Sequence, residues 1–259
     1  MKKGILIICL AVMLMTAGCG NNKNEDKAFD KTGEKLTNAT TDDVSLPAES
    51  TLIEEKLQTS QTSIAFLNSK GELYIWGSNQ YGELGNGERE QFKDTDEPYK
   101  VMDNVKDFYL GEHCCSAISF EDELYVWGWN TLNCLSDSSE EYFLKPVKIL
   151  DNIKYFDNKQ YTSAAITTDG DLLMWGVNGD NECGIDNGEE IITTPTKVLE
   201  NVKCVDQYNN CTVAVTENDE LYVWGYNSLR FSDILGTKDN IFTVNHLTPK
   251  QVLTHYFSD

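Results

Sequence analysis

The sequence predicts an all-β repeat protein, a β-propeller of four units, and three observations predict it. The step Trp-Gly-x-Asn recurs at Trp76, Trp127, Trp175 and Trp224, at intervals of 51, 48 and 49 residues, and a fixed period near 50 marks a repeat array. Within each unit, β-branched and aromatic residues fall in short alternating runs such as Ala117-Ile118-Ser119-Phe120 and Leu124-Tyr125-Val126-Trp127. No stretch carries the 3.6-residue period of a long helix. Three or four short strands in a unit of about 50 residues is the pattern of a propeller blade.

Taken in order, the chain opens with a targeting segment over residues 1–18. Lys2 and Lys3 are followed by an apolar run from Gly4 to Met15, shorter than the roughly 20 residues that span a bilayer. It ends Thr16-Ala17-Gly18-Cys19, which resembles the bacterial lipoprotein signal; the resemblance implies cleavage before Cys19 and acylation (palmitate) of that residue. Thr16 stands where Leu is commoner. The expected location is therefore the outer face of a bacterial cell membrane. Residues 19–50 are polar and charged, too poor in large apolar side chains to order themselves, and read as a tether reaching roughly 30 Å.

Residues 51–259 hold the repeats, with units at about 52–102, 103–150, 151–199 and 200–253. The last three bring a DNVK-type strand, and each unit has an apolar run, then a turn rich in Gly, Asp or Asn (NSKGE, EDE, TDGD, NDE). The Trp strand follows, then a loop, then an exit strand: PYKVM, KPVKIL, TPTKVL or TPKQVL. The Trp should pack once per blade, the Gly should turn the chain where a side chain would collide, and the Asn should bond local backbone.

This pattern resembles the repeat of the regulator of chromosome condensation (RCC1) family over about residues 52–257. Unit one carries it most fully, in Trp76-Gly77-Ser78-Asn79-Gln80-Tyr81-Gly82-Glu83-Leu84-Gly85. Unit three has Cys183 in place of the expected Leu, units two and four lose most of the later glycines, and Cys114, Thr162 and Cys211 replace the family's His. The family's ring has seven blades. Four units and a remnant, Thr254 to Phe257, leave three readings: a final strand that completes the first blade, two chains that close one ring as a homodimer, or an incomplete array.

The formal net charge of −21, with no basic cluster, excludes nucleic acid as a ligand, because phosphate binding needs a dense Lys/Arg patch. Beyond Cys9 and Cys19 lie six cysteines, of which Cys134 and Cys183 form the best candidate disulfide. No Cys/His spacing suits a metal, no His sits in a nucleophilic motif, and no cofactor is expected. The carboxylates of the hairpins read as turn-forming or solvated. These features point to a binding module rather than an enzyme, presenting loops to a protein or glycan partner, with Tyr81, Trp129, Tyr226, Arg230 and Phe231 as candidate ligand-binding residues. The alternatives are an exported hydrolase or lyase with its site at the propeller centre, and a truncated array without function.

Overall fold

In the computed structural model the chain divides into two units, Met1–Glu49 and Ser50–Asp259. The structure describes residues 54–111, 113–159, 161–208, 210–226 and 246–253 of the second. Cys19, the targeting segment, the tether, Arg230, Phe231 and the remnant at 254–257 lie outside the described residues.

Four antiparallel four-stranded sheets follow one another, each made of strands consecutive in sequence. Blade one comprises β1 (Lys56–Thr59), β2 (Ser63–Leu67), β3 (Leu73–Asn79) and β4 (Glu90–Met102). Blade two comprises β5 (Val105–Leu110), β6 (Cys114–Ser119), β7 (Leu124–Trp129) and β8 (Tyr142–Leu150). Blade three has β9 (Ile153–Lys159), β10 (Thr162–Thr167), β11 (Leu172–Val177) and β12 (Ile191–Leu199). Blade four has β13 (Val202–Tyr208), β14 (Cys211–Thr216), β15 (Leu221–Gly225) and β16 (His246–Leu253). The one helical element among the described residues is a 3-10 turn at Thr131–Asn133.

The turn residues sit where the sequence places them. Gly71, Asp122, Gly170 and Asp219 take positive φ between the second and third strands. Between blades, Asn104, Asn152 and Asn201 do the same in two-residue connections, where Asn tolerates the left-handed conformation. The strand ends therefore fall on two faces. One, the loop face, carries the turns between first and second strands and the long loops after the Trp strands. The opposite, turn face carries the remaining turns and the connections between blades.

Each Trp strand shows why the motif recurs. Gly77, Gly128, Gly176 and Gly225 have φ of +114°, +99°, +96° and +88°, and a Cβ on them would lie 2.3, 2.5, 2.2 and 2.3 Å from a backbone carbonyl oxygen of the adjoining turn. The Asn two residues on clasps the loop. Asn178 Nδ2 donates to the carbonyls of Ile185 (2.9 Å) and Glu189 (3.1 Å), while its Oδ1 accepts from Cys183 N (3.1 Å). Asn79 and Asn130 bond their own loops in the same way.

The Trp does more than fill space. Trp127 Nε1 donates to Glu83 O of the preceding blade (2.8 Å), Trp175 Nε1 to Leu135 O (3.2 Å) and Trp224 Nε1 to Glu182 O (2.9 Å). Cys115, Ser163 and Thr212, one equivalent residue per blade, donate to the carbonyls of Glu83, Cys134 and Glu182. Each junction thus buries an indole completely and pairs its N–H, which removes the usual cost of burying a polar group.

β1 supplies the fourth strand of the first sheet and β16 pairs with β15, while the remnant that would complete the first blade lies outside the described residues. One expectation needs correction. Cys134 and Cys183 are free thiols, not a disulfide. Their Sγ atoms point back into their own blades, onto Trp129 O (3.6 Å) and Val177 O (3.3 Å), so the repeat that makes them near-equivalent also keeps them apart. The described blades form an open array. On blade one, Ile64, Phe66, Tyr74 and Trp76 are only half-buried, on the face that in blades two to four packs against the blade before; on blade four, Val213 and Val215 are half-buried on the opposite face. Two positions on blade one also change character: Ile64 replaces the junction donor, and Phe66 replaces the alanine found at Ala117, Ala165 and Ala214.

Candidate functional site

The inner strands β5, β9 and β13 end on the loop face, and the turns that follow them bound a cleft of about 390 Å³. Tyr109, His113 and Trp129 come from blade two, Lys159 and Tyr161 from blade three, and Gln207 and Tyr208 from blade four. A smaller hollow continues past Lys159, Gln207 and Tyr208 towards Glu182.

One wall is an aromatic stack that ties blade one to blade two. Tyr81 lies on Trp129 at 5.0 Å between centroids and 19° between planes, and Tyr142 lies near-parallel to Trp129 at 6.5 Å. The Arg89 guanidinium lies 3.8 Å from the Tyr142 ring centroid, a cation–π contact. His113 leans on Tyr81 at 4.2 Å, and the edge of Tyr161 meets Trp129 at 6.2 Å. The other wall is open: Tyr208 is 59% exposed.

The floor is polar. Tyr109 OH donates to Asn158 O (2.8 Å), bracing blade two against blade three. Lys159 Nζ bridges Asp157 Oδ2 (3.1 Å) and Asp206 Oδ1, so one ammonium faces two carboxylates and the group carries net negative charge. Burial pushes the Asp157 carboxyl up from the usual carboxylate range, with the Lys159 charge opposing. Several buried atoms here lack a hydrogen-bond partner: His113 Nδ1, Trp129 Nε1, Gln207 Oε1 and Asp157 Oδ1. Buried polar atoms are normally paired, so unpaired ones at one cleft need partners from water or from a ligand. Stacking and polar recognition are what these groups can supply.

Of the five sequence candidates, the structure joins Tyr81 and Trp129 and puts Tyr226, 44% exposed, on the same face in blade four. Sequence reasoning missed Tyr109, Lys159, Tyr161, Gln207 and Tyr208. A signal for them existed: the stretches YLGEHCC, DNKQYTS and DQYNNCT differ most between units whose flanks repeat.

The loop face is also electrostatically one-sided. Its loops after the Trp strands expose Glu88, Asp137, Glu140, Glu141, Asp186, Glu189 and Glu190, with Arg89 as the sole base in loops 80–89, 130–141 and 178–190. On the turn face the lysines are paired: Lys100 with Glu72 and Asp103, Lys148 with Glu123 and Asp151, Lys197 with Asp171 and Glu200. Exposed pairs of this kind add little stability, and each of these lysines faces two carboxylates, so the turn face is negative as well but carries its lysines interspersed with its acids.

Comparison with known proteins supports the architecture. Residues 70–118, from the turn before β3 through most of β6, match the family model of the regulator of chromosome condensation (RCC1) repeat. No curated protein matches the chain. Among solved structures, yeast RCC1 (Prp20) crystallised with Kap60 is similar at 25% identity and a TM-score of 0.62, over 81% of this chain and 50% of that one. Prp20p from Saccharomyces cerevisiae, studied for its binding to Gsp1p and histones, is similar at 23% identity and 0.62, over 81% and 52%. Human WBSCR16 is similar at 19% identity and 0.62, over 80% and 55%. The chain spans about half the length of the solved structures it matches.

Proposed function

We propose that this array of RCC1-type repeats is an interaction module that takes a protein partner on its loop face, and that a lipid on Cys19 holds it outside a bacterial membrane. The observation that carries the first part is the cleft, to which three blades contribute side chains and where unpaired polar atoms gather. A rigid scaffold that presents differing loops around one cleft suits recognition. That yeast RCC1 was crystallised with Kap60 is compatible with a protein partner for this chain. The second part rests on the sequence Thr16-Ala17-Gly18-Cys19 alone.

A photo-crosslinking amino acid placed at Tyr161, on the loop face, should give a discrete adduct in cells. The same probe at Phe120, exposed on the turn face, should give none. Equal labelling from both positions, or from neither, would remove the loop face as the binding face. For the anchor, wild-type chain should incorporate labelled palmitate and sediment with membranes, and Cys19→Ser should do neither; unchanged sedimentation of the variant would refute lipidation.

A further inference from the structure

We infer that the cleft receives an arginine side chain from a basic segment of the partner, a reading that rests on the loop face being the binding face. Four observations carry it. First, Gln207 Oε1 is an unpartnered acceptor on an inner strand; Gln207 is 6% exposed and lines the cleft. A buried acceptor without a donor calls for a ligand with N–H groups, and a guanidinium has five in a fixed plane. Second, the exposed Tyr208 ring offers a flat apolar contact for such a plane. The molecule already uses this contact on the same face, where Arg89 lies on Tyr142.

Third, the lysine in the cleft does not repel a cation as its name suggests. Lys159 is held between Asp157 and Asp206, and the three groups together leave a negative charge. Fourth, seven exposed carboxylates lie in the loops of the same face, a negative charge that would attract a basic segment. The unpaired donor Trp129 Nε1 fits the same ligand, because a peptide brings main-chain carbonyls along with its guanidinium.

Titration calorimetry on the full chain in detergent would test this, with three end-blocked peptides of alternating glycine and arginine, lysine or glutamate, and with a neutral hexasaccharide of N-acetylglucosamine. The arginine peptide should bind more tightly than the lysine peptide, and the glutamate peptide should not bind. Tyr208→Ala, an exposed position that leaves thermal unfolding unchanged, should weaken arginine binding roughly threefold to fivefold, with its salt dependence intact. Converting Glu140, Glu141, Glu189 and Glu190 to Gln should instead flatten the salt dependence. Arginine binding that is indifferent to Tyr208→Ala would mean a merely charged surface and overturn the proposal. So would binding of the hexasaccharide in place of the peptides, or no binding at all. If any of these occurs while the Tyr161 crosslink persists, the cleft ligand is wrong and the interaction face stands.

Discussion

Gly128 is followed two residues later by Asn130, and between them stands Trp129, so three neighbouring residues carry a turn, a wall of the cleft and a loop clasp. The turn is the least forgiving. Alanine at Gly128 would set a Cβ 2.5 Å from His113 O at a φ of +99°, and should cost about 3 kcal/mol or more in a urea unfolding experiment. At Gly179 an added methyl would meet nothing within 4 Å, and alanine there should be accepted within about 0.5 kcal/mol. Equal effects at the two sites would show that close approach does not explain the recurring glycine. These roles were legible because recurrence isolates them: a residue kept at every Trp strand is doing what every blade needs. The cleft residues were less legible for the complementary reason. Lys159 and Tyr208 occupy one turn position in successive blades, and only the assembled inner strands show that such unlike residues share a cleft.

Between one blade and the next, the joint is a short polar seam inside an apolar contact. Glu83 sits in it, 1% exposed, with Tyr81 N donating to its carboxylate at 2.7 Å. Burial pushes its carboxyl up to about 7, against backbone hydrogen bonds that pull the other way. The folded state therefore holds a proton that the unfolded chain has released, and stability must fall as pH rises from about 4.5 to 7. Glu83→Gln keeps the acceptor and removes the titration, so it should gain about 2–3 kcal/mol over wild type at pH 8 and little at pH 4.5. A wild-type stability curve without that slope, or a variant that keeps it, would contradict this account. Glu182 repeats the arrangement between blades three and four, with its carboxyl also shifted up by burial. The matching Glu in Gly82-Glu83-Leu84 and Asn181-Glu182-Cys183 could be read from the sequence, but its burial could not. Acidic residues near glycines read as solvated turns unless the next blade is known to cover them.

Across the whole array, neighbouring blades bury what the outermost faces leave half open. Trp175 is fully buried between blades, whereas Trp76 faces outward from blade one and is only half-buried. Trp175→Ala should accordingly cost about 4 kcal/mol and Trp76→Ala about 1 kcal/mol in equilibrium unfolding, with mass constant on light scattering. Similar losses at both positions would mean that the blade-one face is covered in solution. The period of the sequence showed that there are four blades, and the fourth strand of each was visible in the exit segments. Whether they close into a ring was not, because closure depends on which faces meet, and the repeat makes every face look alike.

The seam between blades also has a direction. Its donors, Trp Nε1 and the residue at Cys115, Ser163 or Thr212, always belong to the later blade, and its carbonyls to the earlier one. Contacts of that head-to-tail kind, if copied between separate molecules, either close into a circle or run on as a filament. Blade one has Ile64 where later blades have the second of these donors, and Phe66 where they have alanine. On that face the indole of Trp76 is the seam donor that remains.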